Sequence, residues 1–291
     1  MNGMNKNKKL LTTYNEYPCI ICRSPGVESY PDLFMLPKNQ IMNLPIFDGC
    51  DNPTNLPNSS FTVSCDKYCT SIAIECPNPT ICGGKYLYIR GCQSTLTQNI
   101  QPSVTDSDLD KNNQYCEYDN NFLAYKSNGN PVTLEFIASI CLSNIQDPNN
   151  KQHCNDYLSP KSKYPISQLK NSCNALRLSK NIPCYKCEDE EKNCYKGSDG
   201  SQAYCYKRYM KVGSDNYYVV KGSSNINPYF TNNFCYDDTT TYSLSSFISV
   251  PAKRGVCFCS DKDYCNSGNE IYNVKKHLLP VTIFVILLFF F

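Results

Sequence analysis

Twenty cysteines punctuate this chain, and their spacing limits its fold more than any other feature. The count is even. The densest run is Cys257-Phe258-Cys259-Ser260-Asp261-Lys262-Asp263-Tyr264-Cys265-Asn266, with three cysteines in nine residues. So dense a run leaves little room for regular structure and reads as a clamp. Cys259 and Cys265 close a small loop, and Cys257 ties the same point to a strand elsewhere. The short amide of Asn266 suits the satisfaction of backbone groups on a neighbouring strand.

Many cysteines mean metal or disulfides. Structural zinc takes Cys and His in groups of four. The CxxC pairs Cys19/Cys22 and Cys184/Cys187 each resemble half a zinc ribbon, but no second CxxC follows at ribbon distance. The two histidines, His153 and His277, complete no quartet. Disulfides are the expectation, and they place the folded part in an oxidising compartment. Closing a loop of about 15 residues contributes roughly 3 kcal/mol, so reduction is expected to unfold the protein. The absence of Trp beside 23 Tyr and 13 Phe, with short apolar runs between turn residues, favours β-structure. Lys+Arg 28 against Asp+Glu 26 leaves no basic field for nucleic acid.

In chain order, residues 1–16 are polar and basic, and only Leu10-Leu11 is apolar there. An export signal needs an apolar run of about 7–15 residues, so either the start is truncated or misassigned, which is the expectation, or the protein is not secreted. Residues 17–174 form a first cysteine-rich region. DKYCTSIAIE and KYLYIRGC read as two strands, and a Cys76–Cys82 bridge would staple the turn between them. NNFLAYKSNGNPVTLEFIASI reads as a second hairpin, turning at Ser127-Asn128-Gly129-Asn130. Residues 175–183 read as a linker. Residues 184–266 form a second, tighter region, in which AYCYKRYMK and NYYVVKG are strands around Val212-Gly213-Ser214-Asp215.

The two regions repeat one plan. Each opens Pro-Cys-x-x-Cys, at Pro18 and Pro183. Each sets a cysteine on the first strand of a central hairpin, Cys69 and Cys205. Each ends the second strand with Gly and a small residue, Gly91-Cys92 and Gly222-Ser223. Cys65 and Cys92 both correspond to serine in the second copy, Ser201 and Ser223, as a mutually bonded pair predicts. Connectivity does not follow from sequence alone. As a working set the repeat suggests Cys184–Cys205, Cys187–Cys194, Cys235–Cys257 and Cys259–Cys265 in the second copy. The first copy would carry Cys19–Cys69, Cys22–Cys50, Cys65–Cys92, Cys76–Cys82, Cys116–Cys141 and Cys154–Cys173.

With CYKC…C…YCYK…C…VCFCSDKDYCN in view, the second copy resembles the lymphocyte-antigen-6/urokinase-receptor (Ly-6/uPAR) family of three-finger domains, in its invertebrate lipid-anchored form. The likeness covers Cys184–Asn266 through the opening CxxC and the closing Cys-Asn. The first copy matches through Cys19, Cys22, Cys69 and Cys92. It then spreads its closing cysteines over Cys141, Cys154 and Cys173, with Asn155 or Asn174 as its terminal Asn. The resemblance implies an all-β, disulfide-rich fold of two tandem three-finger domains. Each would have small antiparallel sheets and three loops radiating from a disulfide knot, on a cell-surface protein that binds other proteins.

Residues 278–291, LLPVTIFVILLFFF, are wholly apolar apart from Pro280 and Thr282. At helical rise they span about 21 Å, short of a hydrocarbon core of roughly 30 Å. Asn266-Ser267-Gly268 are small, and Asn269–His277 is a polar spacer. Small site, spacer and terminal apolar tail make the glycosylphosphatidylinositol (GPI) pattern, with Ser267 as the expected attachment residue. A short tail anchor is the alternative. Asn58-Ser59-Ser60 is the one glycosylation sequon free of proline, so Asn58 is the candidate glycan site.

No catalytic constellation, cofactor motif or phosphate loop is legible. His153 reads as surface loop. The acidic run Glu188-Asp189-Glu190-Glu191 reads as a solvated finger tip. Tyr204, Tyr206, Tyr209, Tyr217 and Tyr218 would divide between a packed and an exposed face of the central hairpin. The expected function is non-enzymatic: a GPI-anchored modulator that binds a receptor, channel subunit or ligand through hairpin tips around Lys211–Tyr217. A structural surface coat and a short tail-anchored receptor ectodomain are the alternatives.

Overall fold

In Tyr68–Glu75, Thr70, Ile72 and Ile74 alternate with Cys69, Ser71 and Ala73, so one strand serves two buried faces. That alternation organises the whole protein. The computed structural model describes residues 18–53, 56, 59–109, 114–127, 130–143, 154–156, 166, 173, 182–187, 195–197, 202–212, 215–243 and 248–267.

The first copy supplies β1 (Cys19–Ile20), β2 (Cys22–Arg23), β3 (Thr62–Val63), β4 (Tyr68–Glu75), β5 (Tyr86–Cys92), β6 (Gln114–Ser127) and β7 (Asn130–Leu142). The second supplies β8 (Cys184–Lys186), β9 (Tyr195–Gly197), β10 (Tyr204–Val212), β11 (Asp215–Ser224), β12 (Asn233–Ser243) and β13 (Ser249–Cys259). Two larger sheets form, ordered β2-β5-β4-β7-β6 and β11-β10-β13-β12. Strand for strand, β5-β4-β7-β6 matches β11-β10-β13-β12. Two small two-stranded sheets, β1-β3 and β8-β9, also form, each on the first strand of its copy. Every strand pair among the described residues is antiparallel. The chain is therefore a disulfide-rich, all-β protein.

The register carries the repeat to single residues. Cys69 lies opposite Cys92 as Cys205 lies opposite Ser223. Cys22 pairs with Arg90 on the edge of one sheet, and Cys187 bridges Lys221 on the edge of the other. Arg90 and Lys221 are both buried.

The expected hairpins form. Ser127 closes against Asn130 and Val212 against Asp215, the spacing of two-residue turns. Between β4 and β5 the chain makes a helical turn, Pro79–Cys82. The Asn78 side chain caps it by accepting from the Thr80 N–H at 3.2 Å, and Gly83 ends it at φ 66°. One expectation fails here. The closing cysteine run is not irregular, because Cys257 and Cys259 end the eleven-residue strand β13. A spacing of two turns both cysteines to the same face, which a strand accommodates without strain.

The two sheets are not separate beads. Ile72, Ile89, Phe136 and Ile140 of the first share one apolar cluster with Tyr204, Tyr206, Val256 and Phe258 of the second. Phe122 and Tyr206 meet at 6.1 Å between ring centroids. Two carboxylates on β6 cross the seam. Glu117 accepts from the Tyr204 hydroxyl at 2.6 Å and the Asn227 N–H at 2.8 Å. Asp119 accepts from the Ser224 hydroxyl at 3.1 Å and the Asn225 N–H at 2.9 Å. Each buried carboxylate thus meets donors from the other copy, as burial demands.

Candidate binding cleft

The knots are built first. Cys19–Cys69, Cys22–Cys50, Cys65–Cys92 and Cys76–Cys82 form in the first copy. Cys184–Cys205, Cys235–Cys257 and Cys259–Cys265 form in the second. Cys187 is also disulfide-bonded, but Cys194 lies outside the described residues. The remaining four cysteines depart from the expected pairs. In place of Cys116–Cys141 and Cys154–Cys173, the structure joins Cys116 to Cys173 and Cys141 to Cys154.

The register explains the correction. In the second copy Cys235 faces Cys257 and Asn233 faces Cys259. In the first, Cys116 faces Ser139 and Gln114 faces Cys141. Cys141 and Cys154 therefore play the parts of Cys259 and Cys265. Cys116 plays Cys235, but serine occupies its partner's place, and Cys173 takes the bond.

Asn155, not the undescribed Asn174, is the counterpart of Asn266. Asn155 Oδ1 accepts from the Ile20 N–H at 2.9 Å, and its Nδ2 donates to the Ile20 carbonyl at 2.8 Å. Asn266 treats Tyr185 in the same way, at 3.0 Å and 2.9 Å, and also donates to the Tyr206 carbonyl at 3.0 Å. Each amide acts as a missing strand beside the residue that follows the first cysteine of its copy.

Other expected positions fall less centrally. Tyr204, Tyr206 and Tyr209 are buried in packing, and Tyr217 and Tyr218 have no described side chain. Lys211 and Val212 mark the described end of the β10-β11 tip. Ser267 ends the last 3-10 turn, Cys265–Ser267. Asn58, His153, the acidic run 188–191 and residues 268–291 lie outside the described residues.

The concave site is one that sequence reasoning did not reach. A cleft of about 510 Å³ opens between the second sheet and the loop that follows β2, with Ala124 of β6 on its border. One wall is Ser29–Leu36 without Phe34, from the loop after β2. Its 3-10 turn Pro31–Phe34 ends at Met35, which takes a left-handed φ of 56°. The other wall comes from alternate positions of the second sheet: Arg208 and Met210 on β10, Arg254 and Val256 on β13, and Tyr236 on β12. Arg208 faces Val256 and Met210 faces Arg254, so these four share one sheet face. Gly255 lets β13 pass under Tyr209, because a Cβ there would fall 2.4 Å from the ring.

The two arginines are held differently. Arg254 makes two bonds to Asp238, Nε to Oδ1 at 2.7 Å and Nη2 to Oδ2 at 3.0 Å, and an ion pair with Asp32. Burial works against its charge, but these carboxylates prevail and raise its pKa. Arg208 has no carboxylate partner among the described residues. Its Nη2 donates to the Ala124 carbonyl at 2.6 Å, and its buried Nε has no acceptor there. Tyr236, on the same wall, has its pKa raised by burial and by Asp238. The arrangement suits binding: apolar walls, one satisfied cation and one incompletely satisfied cation.

A sequence signal for half of this wall existed. The alternation Tyr204-Tyr206-Arg208-Met210 puts Arg208 on the packed face of β10. Asp32 and Arg254 stand more than two hundred residues apart, and no local pattern joins them. No family model, curated protein or solved structure matches this chain.

Proposed function

We propose that this is an extracellular, GPI-anchored protein of two fused three-finger domains, which binds a protein partner without chemistry. The duplicated knot carries this reading. Equivalent asparagines, Asn155 and Asn266, brace the residue after the first cysteine of each copy, and the four central strands share one order. That supports the likeness to the lymphocyte-antigen-6/urokinase-receptor family, which the sequence suggested through the closing Cys-Asn. The second knot ends at Asn266, and Ser267 follows at once with the small-residue, spacer and apolar-tail pattern of lipid attachment. The oxidised cysteines favour an extracellular site.

The shared core bears on where a partner would sit. One face of each sheet is consumed by the other copy. The hairpin tips, including Lys211 and Val212, lie outside that shared core and stay open to a partner.

The test is expression in cells behind a supplied signal peptide. Release by phosphatidylinositol-specific phospholipase, loss of anchoring on replacing Ser267 and Gly268, and an intact mass showing no free thiol are the expected results. Saturable cell binding by the released protein, weakened by Lys211→Glu, would support the modulator reading. Retention on the membrane after phospholipase, with the apolar tail still present, would overturn the lipid anchor.

A further inference from the structure

We propose that the interdomain cleft is a binding site for a single-chain amphipathic anion, its acidic head on Arg208 and its alkyl chain between the two copies. The inference is independent of the proposed protein partner and of the anchor.

The argument starts from charge. A guanidinium offers five donors and cannot discard its proton. Arg208 sits partly buried on a cleft wall, and among the described residues only its Nη2 is matched, by the Ala124 carbonyl. Its Nε is closed off from solvent and has no acceptor among the described residues. That atom is out of a ligand's reach, so an acidic head in the cleft would meet the terminal nitrogens of the guanidinium that lines it, where a charge-assisted bond is strong. Arg254, on the same face, cannot serve as a second anion holder. Asp238 grips it through both carboxylate oxygens, and Asp32 adds a third contact. Those two carboxylates make that end of the cleft net negative. An anion is therefore steered to Arg208.

The rest of the lining sets the body of the ligand. Leu33, Met35, Leu36, Met210 and Val256 give the cleft an apolar interior. A volume of about 510 Å³ lies within the roughly 300–1,000 Å³ of ordinary small-ligand pockets. An extended alkyl chain of moderate length fits such a slot. The two unbranched methionine side chains adapt to a chain of variable shape. A carboxylate and a phosphate monoester share the chemistry that Arg208 recognises, so both heads belong to the proposal and the test separates them.

The experiment is calorimetric titration of the disulfide-intact protein with four probes of one chain length: dodecanoate, dodecyl phosphate, dodecanol and dodecyltrimethylammonium. Dodecanoate or dodecyl phosphate is expected to bind at one site per chain, at least tenfold more tightly than dodecanol. The tighter of the two identifies the head as carboxylate or phosphate. A hydrogen bond to a charged group is worth about 1.5–3 kcal/mol, or roughly tenfold to a hundredfold in affinity. Arg208→Gln should therefore bring the anions down to the affinity of dodecanol and leave dodecanol itself unchanged. Met210→Asp, at a half-buried position, should weaken every probe. Equal binding of anion and alcohol, tighter binding of the ammonium probe, indifference to Arg208→Gln, or no binding by any probe would each overturn the proposal.

Discussion

Asn155 and Asn266 show how much of a fold one amide can hold. Each donates and accepts along the strand edge that β3 or β9 leaves unpaired, so no other side chain of that size replaces it. Asn155→Ala leaves two buried backbone groups without partners, at about 1–3 kcal/mol each. Chemical denaturation should show a loss of that order, and Asn155→Asp should be worse, because a carboxylate then faces the Ile20 carbonyl. A second prediction concerns tyrosine. Burial pushes Tyr88 up to about 12, against the pull of Arg90 and with a smaller push from Asp51. Burial first, then Glu135, likewise pushes Tyr118 up to about 12. The folded state holds these protons more tightly than the unfolded chain. Their contribution is therefore complete below about pH 10 and is lost as pH rises toward 12. Stability measured against pH should fall across that window, and Tyr88→Phe should flatten the fall.

At the scale of elements, the strands most legible in the sequence were those with apolar alternation, β4, β5, β10 and β11. The strands β12 and β13 were missed because their residues do not advertise a strand. Ser249–Cys259 carries Pro251, Lys253, Arg254 and Gly255, and is held by pairing on both sides with β10 and β12. The cysteine pairs of the opening knot and central hairpin of the first copy were legible, Cys19–Cys69, Cys22–Cys50, Cys65–Cys92 and Cys76–Cys82. Legibility failed at Cys116, where register decides and sequence distance misleads. Register itself makes the test. Ser139→Cys combined with Cys173→Ser restores the geometry of Cys235–Cys257, so peptide mapping should find Cys116 joined to the thiol introduced at position 139. Recovery of a Cys116–Cys141 bridge instead would mean that the β6-β7 register is wrong. The cleft was largely illegible, because its walls come from residues around 30, 208 and 254 that only the folded sheets bring together.

For the whole molecule, the shared core makes the copies interdependent. A second copy expressed alone, from residue 182 onward, would expose Tyr204, Tyr206 and Phe258, which are now almost fully buried. It should aggregate or self-associate in gel filtration, and the full chain should run as a single species. A soluble, monomeric second copy would argue that the seam is weak. The bond between Cys116 and Cys173 has a further bearing on how the protein is made. Its two ends are 57 residues apart in the chain, and Cys141 leaves the ribosome before Cys173 does. On the hairpin Cys141 already lies on the same face as Cys116, two positions along. The neighbour that emerges first is thus the wrong one. Correct assembly requires oxidation of Cys116 to be delayed or its first bond to be reshuffled, so yield should depend on thiol-exchange catalysts more than the finished fold suggests.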